Sequence, residues 1–443
     1  MLFPSPKLSK ADDFGADIIK LKGERKLSLF QCGDCMNKIT TLKNGLRIIT
    51  EVMPGAQSVF VGVWVKAGSA NEKDSEWGIS HFIEHMVFKG TEKRTAQQIS
   101  EETDYVGGQA NAFTSRDCTC YYSRTLPEHM ELSFDILSDI YHNPRLLKKD
   151  IDLERGVIKE EIMMYEDCPE DLVQDRLLAA VYPDSAIGRE IAGSLESVDG
   201  LNREKMVDYM NRYYTPDNTV ITVCGRFDEK MAISLCEKYF SHRITAFSGN
   251  RVIVPRFESV DVRWEKDIEQ AHLCLSYPTV KLGSDKESYT LSALSNIFGG
   301  SMSSRLFNKV REERGLCYSV YSYSSQTEVS GLFSIYTGLN ANCLNAAEEV
   351  IHNEIARLLK DGITDYELTK GKEQLKAAIL MDMENPSSRM SALGKDMLIY
   401  NSVKPIEEIV RDIDSVTKHD IEEAAHMVFE KRGARGVLLP IER

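Results

Sequence analysis

The sequence has no apolar run that approaches the roughly 20 residues needed to cross a bilayer. Its longest candidate, Val59–Val65, has the length of a β-strand. The first 35 residues contain neither the apolar segment nor the small-residue cleavage site of a secretory signal peptide, and we interpret them as an N-terminal extension. These absences predict a cytoplasmic protein that neither spans nor attaches to a membrane.

The chain is also short of basic residues. It has 54 lysines and arginines against 68 aspartates and glutamates, which gives a formal net charge of −14. Because nucleic-acid phosphates repel so acidic a chain, general nucleic-acid binding is not expected. If the acidic residues are concentrated in a cleft, they would attract basic peptides; otherwise they serve solubility alone.

The ten cysteines do not indicate a disulfide framework, because most of them lie in apolar or strand-like segments. Cys32 and Cys35 form a lone C-x-x-C, without the second pair or the partner fold that a zinc or redox site requires. The pattern is typical of reduced, partly buried thiols in a cytosolic protein.

The order of predicted elements repeats along the chain. Each half has a buried strand, a helical region with a glycine break, two strands, a long helical region and a closing strand. The repetition predicts an internal duplication and an α+β fold of two similar domains, each a mostly antiparallel sheet packed with helices. The predicted boundaries are 1–35 for the extension, 36–241 and 261–443 for the domains, and 242–260 for the linker.

Two of the nine histidines lie four residues apart in the stretch ISHFIEHMVFKGT, with a glutamate between them. On a helix, His81 and His85 share one face, so their imidazole nitrogens can meet at one metal ion. Glu84 borders that face, where a general base would take a proton from water. This H-x-x-E-H is the inverted form of a zinc-peptidase signature. The matching stretch of the second half, LSALSNIFGGSM, lacks these residues, which assigns the chemistry to the first half.

A catalytic zinc ion needs a third protein ligand. The predicted helix DIDLERGVIKEEIMMYEDCP offers four carboxylates, those of Glu154, Glu160, Glu161 and Glu166. Glu154 and Glu161 lie two turns apart on one face, whereas Glu160 points elsewhere. Residue chemistry alone leaves the choice among the four open.

Five blocks follow one another in an order typical of one peptidase family. They are GISHFIEHMVFKGT, GGQANAFTSRDCTCYY, ERGVIKEEI, EDCPEDLVQDRLL and GSMSSRLFNKVREERGLCYSV. With them, nearly everything from Met36 onward resembles the pitrilysin (insulinase) family of inverted-zincin metallopeptidases. The resemblance is to the two-domain branch that includes mitochondrial processing peptidase and its bacterial relatives.

The resemblance implies a role for each matching residue. His81 and His85 match the two zinc-binding histidines, Glu84 matches the catalytic base, and Glu161 matches the third zinc ligand. Glu154 matches a supporting glutamate that orients the site. The implied cofactor is one zinc ion per chain. No catalytic position departs from the family pattern, which argues against the inactive members of the family.

The resemblance also implies how a peptide binds. The segment NAFTS matches an edge strand that pairs with extended substrate, so that backbone hydrogen bonds give affinity with little demand on sequence. The substrate-binding residues are then Asn111, Ala112, Phe113 and Thr114. Phe113 either lines the pocket for the residue after the cut or packs in the core.

Arg311 and Tyr318 in the second half match an arginine and a tyrosine that reach the substrate carbonyl near the scissile bond. The tyrosine hydroxyl would stabilise the developing oxyanion. In this branch the pair comes from a different subunit than the zinc ion does. The resemblance therefore implies a homodimer in which the second domain of each subunit completes the site of the other.

Together these residues predict a zinc-dependent endopeptidase that cleaves unfolded or extended peptides in the manner of a processing peptidase. Two alternatives stay open at this point. The first alternative is a zinc-loaded subunit that does not cut but binds peptides or regulates a partner. The second is a peptidase that is active only with a sibling chain.

Overall fold

A computed structural model describes residues 37–250, 252–283 and 285–441. The predicted extension 1–35 and its C-x-x-C lie outside the described residues. From Asn37 onward the chain packs as one compact unit, so the domain boundaries set at 241 and 261 stay a prediction. Within the described residues, no helix combines the length and the apolar character that a membrane crossing requires.

The first half is built on a six-stranded sheet. Its strands are β1 (Lys38–Thr41), β2 (Arg47–Val52), β3 (Val59–Val65), β4 (Gln109–Thr114), β5 (Thr119–Thr125) and β6 (Thr219–Gly225). They lie in the order β1-β2-β6-β3-β5-β4, and every neighbouring pair is antiparallel except β2 with β6. Both β3 and β6 are buried along their whole length, as expected for continuous apolar strands.

The described part of the first half contains eight α-helices, most of which pack on one face of this sheet. They are α1 (Ile79–Val87), α2 (Ala96–Tyr105), α3 (Met130–His142), α4 (Lys148–Glu166), α5 (Pro169–Val181), α6 (Leu195–Asp199), α7 (Arg203–Tyr213) and α8 (Glu229–Phe240). Apolar side chains of α1, α3, α4, α7 and α8 share one core with the inner face of the sheet.

The second half repeats the plan with five strands. They are β7 (Asp261–Lys266), β8 (Ala271–Pro278), β9 (Cys317–Gln326), β10 (Gly331–Leu339) and β11 (Ala434–Pro440), in the order β7-β11-β8-β10-β9. Only β7 and β11 pair in parallel. The helices are α9 (Asp285–Ser295), α10 (Leu344–Asp361), α11 (Asp365–Asp382), α12 (Pro386–Ile399), α13 (Ile406–Ser415) and α14 (Lys418–Phe429). The predicted α+β class, with two mostly antiparallel sheets, is confirmed.

Each half supplies a helix that covers the sheet of the other half. Helix α12 lies across β3 and β6, where Met390 and Leu393 share an apolar cluster with Trp64. Helix α5 lies across β8 and β11, where Leu177 shares a second cluster with Leu438. Because of this exchange, neither sheet has both faces covered by its own half.

Two contacts hold α12 in place. A Cβ atom at Gly394 would lie 2.2 Å from the ring of Trp64, so the close approach of helix and sheet requires glycine. Nearby, the guanidinium of Arg389 forms a buried ion pair with Glu51 on β2, in which Nε donates to Oε1 over 2.7 Å. A bidentate arginine–carboxylate pair fixes orientation as well as distance.

Candidate metal centre

Helix α1 carries the H-x-x-E-H motif. It begins after Gly78, whose φ of 87° is left-handed. A side chain there would also meet the carbonyl oxygen of Ala192, 2.8 Å from an added Cβ, so the position demands glycine. The apolar residues of the helix pack into the core and are Ile79, Phe82, Ile83, Met86 and Val87. This packing leaves His81, Glu84 and His85 on the sides of the helix that face α4 and a cavity.

Helix α4 places Glu161 against both histidines. The helix packs on α1, with Ile158 and Ile162 buried. Oε1 of Glu161 lies 3.6 Å from Nε2 of His81, and Oε2 lies 3.4 Å from Nε2 of His85. Among the described residues, no other group of three or more His, Cys, Asp or Glu side chains converges in this way.

This donor set fits a zinc ion. Bonds of about 2.1 Å in a tetrahedral arrangement separate two donor atoms by about 3.4 Å. The separations between Glu161 and the two imidazole nitrogens, 3.6 and 3.4 Å, match that spacing. Two imidazoles, one carboxylate and a position open to a cavity form the ligand set of a catalytic zinc site rather than a structural one.

Glu154 supports the second histidine. Nδ1 of His85 donates a hydrogen bond to Oε1 of Glu154 over 2.9 Å, and Nζ of Lys89 lies 2.6 Å from Oε2. With the proton on Nδ1, the lone pair of Nε2 points toward Glu161. Nδ1 of His81, in contrast, is buried and has no hydrogen-bond partner among the described residues.

The cluster is electrostatically prepared for a cation. Burial lowers the pKa of His85, but hydrogen bonds to Glu154 and Glu161 outweigh it and raise that pKa to about 9. The neighbouring imidazoles of His81 and His85 hold the pKa of the Glu161 carboxyl far below its ordinary value. A divalent cation that binds here therefore meets an ionised carboxylate and displaces a proton from the imidazole of His85.

Glu84 faces a cavity of about 380 Å³ beside the metal-ligand candidates. Its Oε2 accepts a hydrogen bond from the hydroxyl of Thr114 over 2.5 Å. This bond engages one of the two carboxylate oxygens and joins α1 to β4. The lining residues of the cavity all belong to the first half of the chain, between 81 and 193.

Strand β4 forms one wall of the cavity. Ala112, Phe113 and Thr114 line it, whereas Asn111 lies on the same strand but not in the lining. At the edge of the described sheet, β4 pairs with β5 alone. The ring of Phe113 also packs edge-on against Trp64, with 5.6 Å between centroids, so it contributes both to the cavity wall and to the packing beneath it.

Two family models match the chain. Residues 47–195 match the model described as "Insulinase (Peptidase family M16)", and residues 200–375 match the "Peptidase M16 inactive domain". Together they cover most of the sequence. The chain belongs to peptidase family M16. The resemblance inferred from the sequence blocks is thereby confirmed.

Bacterial M16 relatives match over nearly their whole length. A protein named "Uncharacterized zinc protease YmxG" from Bacillus subtilis is 40% identical over 405 residues, which are 91% of this chain and 98% of the relative. An "Uncharacterized zinc protease" of Mycobacterium leprae is 37% identical over 408 residues, which are 90% of this chain and 91% of the relative.

Two crystal structures share the M16 fold. A protease from Helicobacter pylori superposes with a TM-score of 0.85 at 22% identity, covering 91% of this chain and 99% of its own. A "peptidase M16 inactive domain" from Pseudomonas fluorescens also reaches 0.85, at 16% identity, covering 92% and 98%. At these identities the likeness extends to the fold alone.

The structure places Arg311 and Tyr318 against each other but not in the lining of the cavity beside the metal-ligand candidates. The guanidinium of Arg311 lies 5.3 Å from the ring centre of Tyr318 and 4.6 Å from that of Phe307. Tyr318 is 79% exposed. Neither residue lines the cavity that Glu84 faces. Arg311 lies in the π-helical segment Phe307–Glu312, and such segments are frequent at functional sites.

Sequence reasoning missed several residues around the centre. The hydroxyl of Tyr165 donates a hydrogen bond to Oε1 of Glu161 over 3.3 Å. Lys89 binds Glu154. Tyr165 lies four residues after Glu161 on α4, a spacing that places both on one helix face and could have identified it. Lys89 lies beyond the end of α1 at Val87, so helical spacing does not indicate it. The bond between Thr114 and Glu84 joins residues 30 positions apart, and no local pattern indicates it.

The far wall of the cavity is acidic. Glu166, Asp175 and Glu190 line it together with one basic residue, Arg116. Nη2 of Arg116 lies 3.5 Å from Oδ1 of Asp175. Burial raises the pKa of both Asp175 and Glu190, and in each case a neighbouring carboxylate adds to the effect. Glu166 is paired from outside the lining, with Nη2 of Arg176 3.0 Å from its Oε2. Since Arg116 faces Asp175, the acidic excess of the wall rests on Glu190.

Proposed function

We propose that this M16 chain is a zinc-dependent endopeptidase that cleaves unfolded or extended peptides. The observation that carries the proposal is the convergence of His81, His85 and Glu161 beside Glu84 on one cavity. A metal-ligand set and a general base at one open position are what hydrolysis of a peptide bond needs. The zinc-protease names of the relatives support the same activity.

Zinc bound by His81, His85 and Glu161 would act as a Lewis acid and lower the pKa of water. Glu84 would then take a proton from that water and later hand it to the leaving amine. Its Oε2 is held by the hydroxyl of Thr114, which leaves Oε1 for the proton. Glu154 keeps His85 in the tautomer that presents Nε2 to the metal.

An extended substrate would bind along β4. Because β4 pairs with β5 alone among the described strands, a peptide can add to its other edge and reach the cavity that Phe113 and Thr114 line. A folded domain cannot enter this way. The acidic far wall, whose excess charge rests on Glu190, favours peptides that carry basic side chains.

A second copy of the chain would supply Arg311 and Tyr318. Their absence from the lining of the cavity of their own chain and the exposure of Tyr318 support this arrangement. In a symmetric dimer each copy would offer the pair to the other, and the Tyr318 hydroxyl would stabilise the oxyanion that forms at the peptide carbonyl.

Cleavage of an unstructured, basic, fluorescence-quenched peptide by wild type and by Glu84→Gln tests the proposal, with the zinc content of both proteins measured. We expect wild type to cut and zinc-loaded Glu84→Gln to be inactive. If both proteins hold zinc and neither cuts, the chain binds peptides or needs a sibling chain, and the proposal fails for this chain alone.

A further inference from the structure

Helix α1 receives its N-terminal cap from a glutamate that lies outside the helix. The first N–H groups of a helix have no partners within it, and Gly78, at the cap position, has no side chain to offer. Glu72 supplies both acceptors. Its Oε2 accepts from the N–H of Gly78 and its Oε1 from the N–H of Ser80, each over 2.8 Å. Glu72 is only 5% exposed.

These two bonds control how α1 is rotated about its axis. Ser80 directly precedes His81. Because Glu72 accepts hydrogen bonds from the N–H groups of Gly78 and Ser80, it fixes the helical turn from which His81 projects. Ser80 is held a second time, because its hydroxyl lies 2.9 Å from that of Tyr209 on α7, which is fully buried. The start of α1 is thus bound to two separate parts of the fold.

A buried carboxylate is a costly way to cap a helix. Other helices of the same chain use the residue at their own cap position. In α8 Asp228 accepts from the N–H of Met231, and in α7 Asn202 accepts from that of Lys205. Burial deprives Glu72 of hydration and raises its pKa to about 8. Capping alone does not require this cost, since a shorter polar residue suffices for α7 and α8.

We propose that Glu72 is a positioning residue for the metal centre, which holds α1 at the rotation where His81 and His85 meet Glu161. The inference rests on the proposed function, since it concerns the metal site of that activity. It assigns the role to a residue nine positions before His81, outside the H-x-x-E-H motif. Without the two hydrogen bonds to Glu72, the apolar face of α1 keeps its core contacts. The rotation of the helix about its axis is then no longer fixed, and neither is the direction of its polar face.

Glu72→Gln tests the inference with little change in size. The variant keeps one carbonyl oxygen but sets an NH₂ group against one of the two backbone N–H donors. The control is Asp228→Ala, which removes the side-chain cap of α8, a helix that does not line the cavity. Both are compared with wild type as full-length proteins in three measurements: zinc affinity by competition with a chromophoric chelator, amide hydrogen exchange of metal-free protein, and thermal unfolding.

For Glu72→Gln we expect zinc affinity to fall by about 10- to 100-fold, the usual loss when a residue that orients a metal ligand is changed. Amide exchange within 79–87 should speed up before any metal is added. Asp228→Ala should accelerate exchange in α8 and leave zinc affinity as in wild type. This contrast separates positioning of the site from a general loss of stability.

Unchanged zinc affinity in a Glu72→Gln protein that folds would overturn the inference and leave Glu72 as a structural cap. If that variant does not fold, Glu72→Asp retains the carboxyl group on a side chain one methylene shorter, which reaches one N–H only. Wild-type zinc affinity in it contradicts the inference equally. A wild-type protein that holds no zinc contradicts the proposed function instead. In that event, the exchange rates of α1 still decide whether Glu72 positions the helix.

Discussion

Nδ1 of His85 donates a hydrogen bond over 2.9 Å to Oε1 of Glu154 on α4, the helix that also presents Glu161 to the same ring. One helix therefore holds His85 at both nitrogens. Glu154→Gln removes the charge that orients the imidazole, and we expect zinc affinity to fall by about 10- to 100-fold. Chelator competition measures this loss. Glu160→Gln, an exposed position on the same helix, is the control and should bind zinc as wild type does.

Metal removal should destabilise the protein only where the ligand set is complete. At a free zinc concentration 100 times the dissociation constant, binding stabilises the folded state by about 2.7 kcal/mol. Chelation should therefore lower the melting temperature of wild type, whereas His81→Ala, which lacks one ligand, should show no such shift. An equal shift in both proteins would place the metal elsewhere.

Thr114 should matter through its hydroxyl. In Thr114→Val, Glu84 loses the hydrogen bond to its Oε2, and a hydrogen bond to a charged group contributes about 1.5–3 kcal/mol. We expect kcat to fall about 10-fold or more with zinc content unchanged. Thr114→Ser keeps the donor and should retain most of the activity. Wild-type activity in Thr114→Val would show that the hydroxyl is not required, and a loss confined to Thr114→Ser would point to the methyl group instead.

A shared site can be tested by mixing two inactive proteins. Glu84→Gln lacks the base and Tyr318→Phe lacks the hydroxyl, but a mixed dimer contains one site with Glu84 from one copy and Tyr318 from the other. Equal mixing with free exchange of subunits should restore about one quarter of wild-type activity, since half of the dimers are mixed and half of their sites are intact. No recovery, with exchange of labelled subunits verified, would show that each chain works alone.

Acid should weaken the ion pair between Arg305 and Glu367. Burial raises the pKa of Glu367, but the hydrogen bonds from Arg305 and the backbone of Thr364 outweigh it and lower the pKa to about 2. The ionised carboxylate therefore stabilises the folded state above pH 4.5, and this contribution is lost as pH falls toward 2. Glu367→Gln should be less stable than wild type by about 2 kcal/mol at pH 7.

In urea unfolding, the difference between wild type and Glu367→Gln should shrink between pH 4.5 and 2. A difference that stays constant over this range would mean that the pair contributes through packing rather than through charge.

The sequence predicted the parts of the site that share a helix. His81, Glu84 and His85 follow from helical spacing, because residues three and four apart lie on one face. The choice of Glu161 over Glu160 and Glu166 did not follow from spacing, since it depends on which face of α4 meets α1. Only the family resemblance suggested it before the structure placed Glu161 beside both histidines.

Contacts between distant segments could not be predicted in this way. No sequence motif around Glu72 indicates its role. The N–H groups that it accepts from belong to α1, and the start of that helix after Gly78 is known only from the structure. The exchange of α5 and α12 was likewise missed. An apolar helix face shows that a helix is buried, but it does not show which of two similar sheets buries it.

The exchange of helices has a consequence for synthesis. Arg389 follows its partner Glu51 by 338 residues, which a ribosome adds in roughly 20 to 70 seconds at about 5–20 residues per second. Throughout that interval α12 is not yet available to pack on the face of the first sheet that bears Trp64. The nascent chain therefore carries an exposed apolar surface until it is almost finished. A stop codon shortly before residue 386 should thus leave the metal-ligand residues intact yet send the product to chaperones, proteases or aggregates.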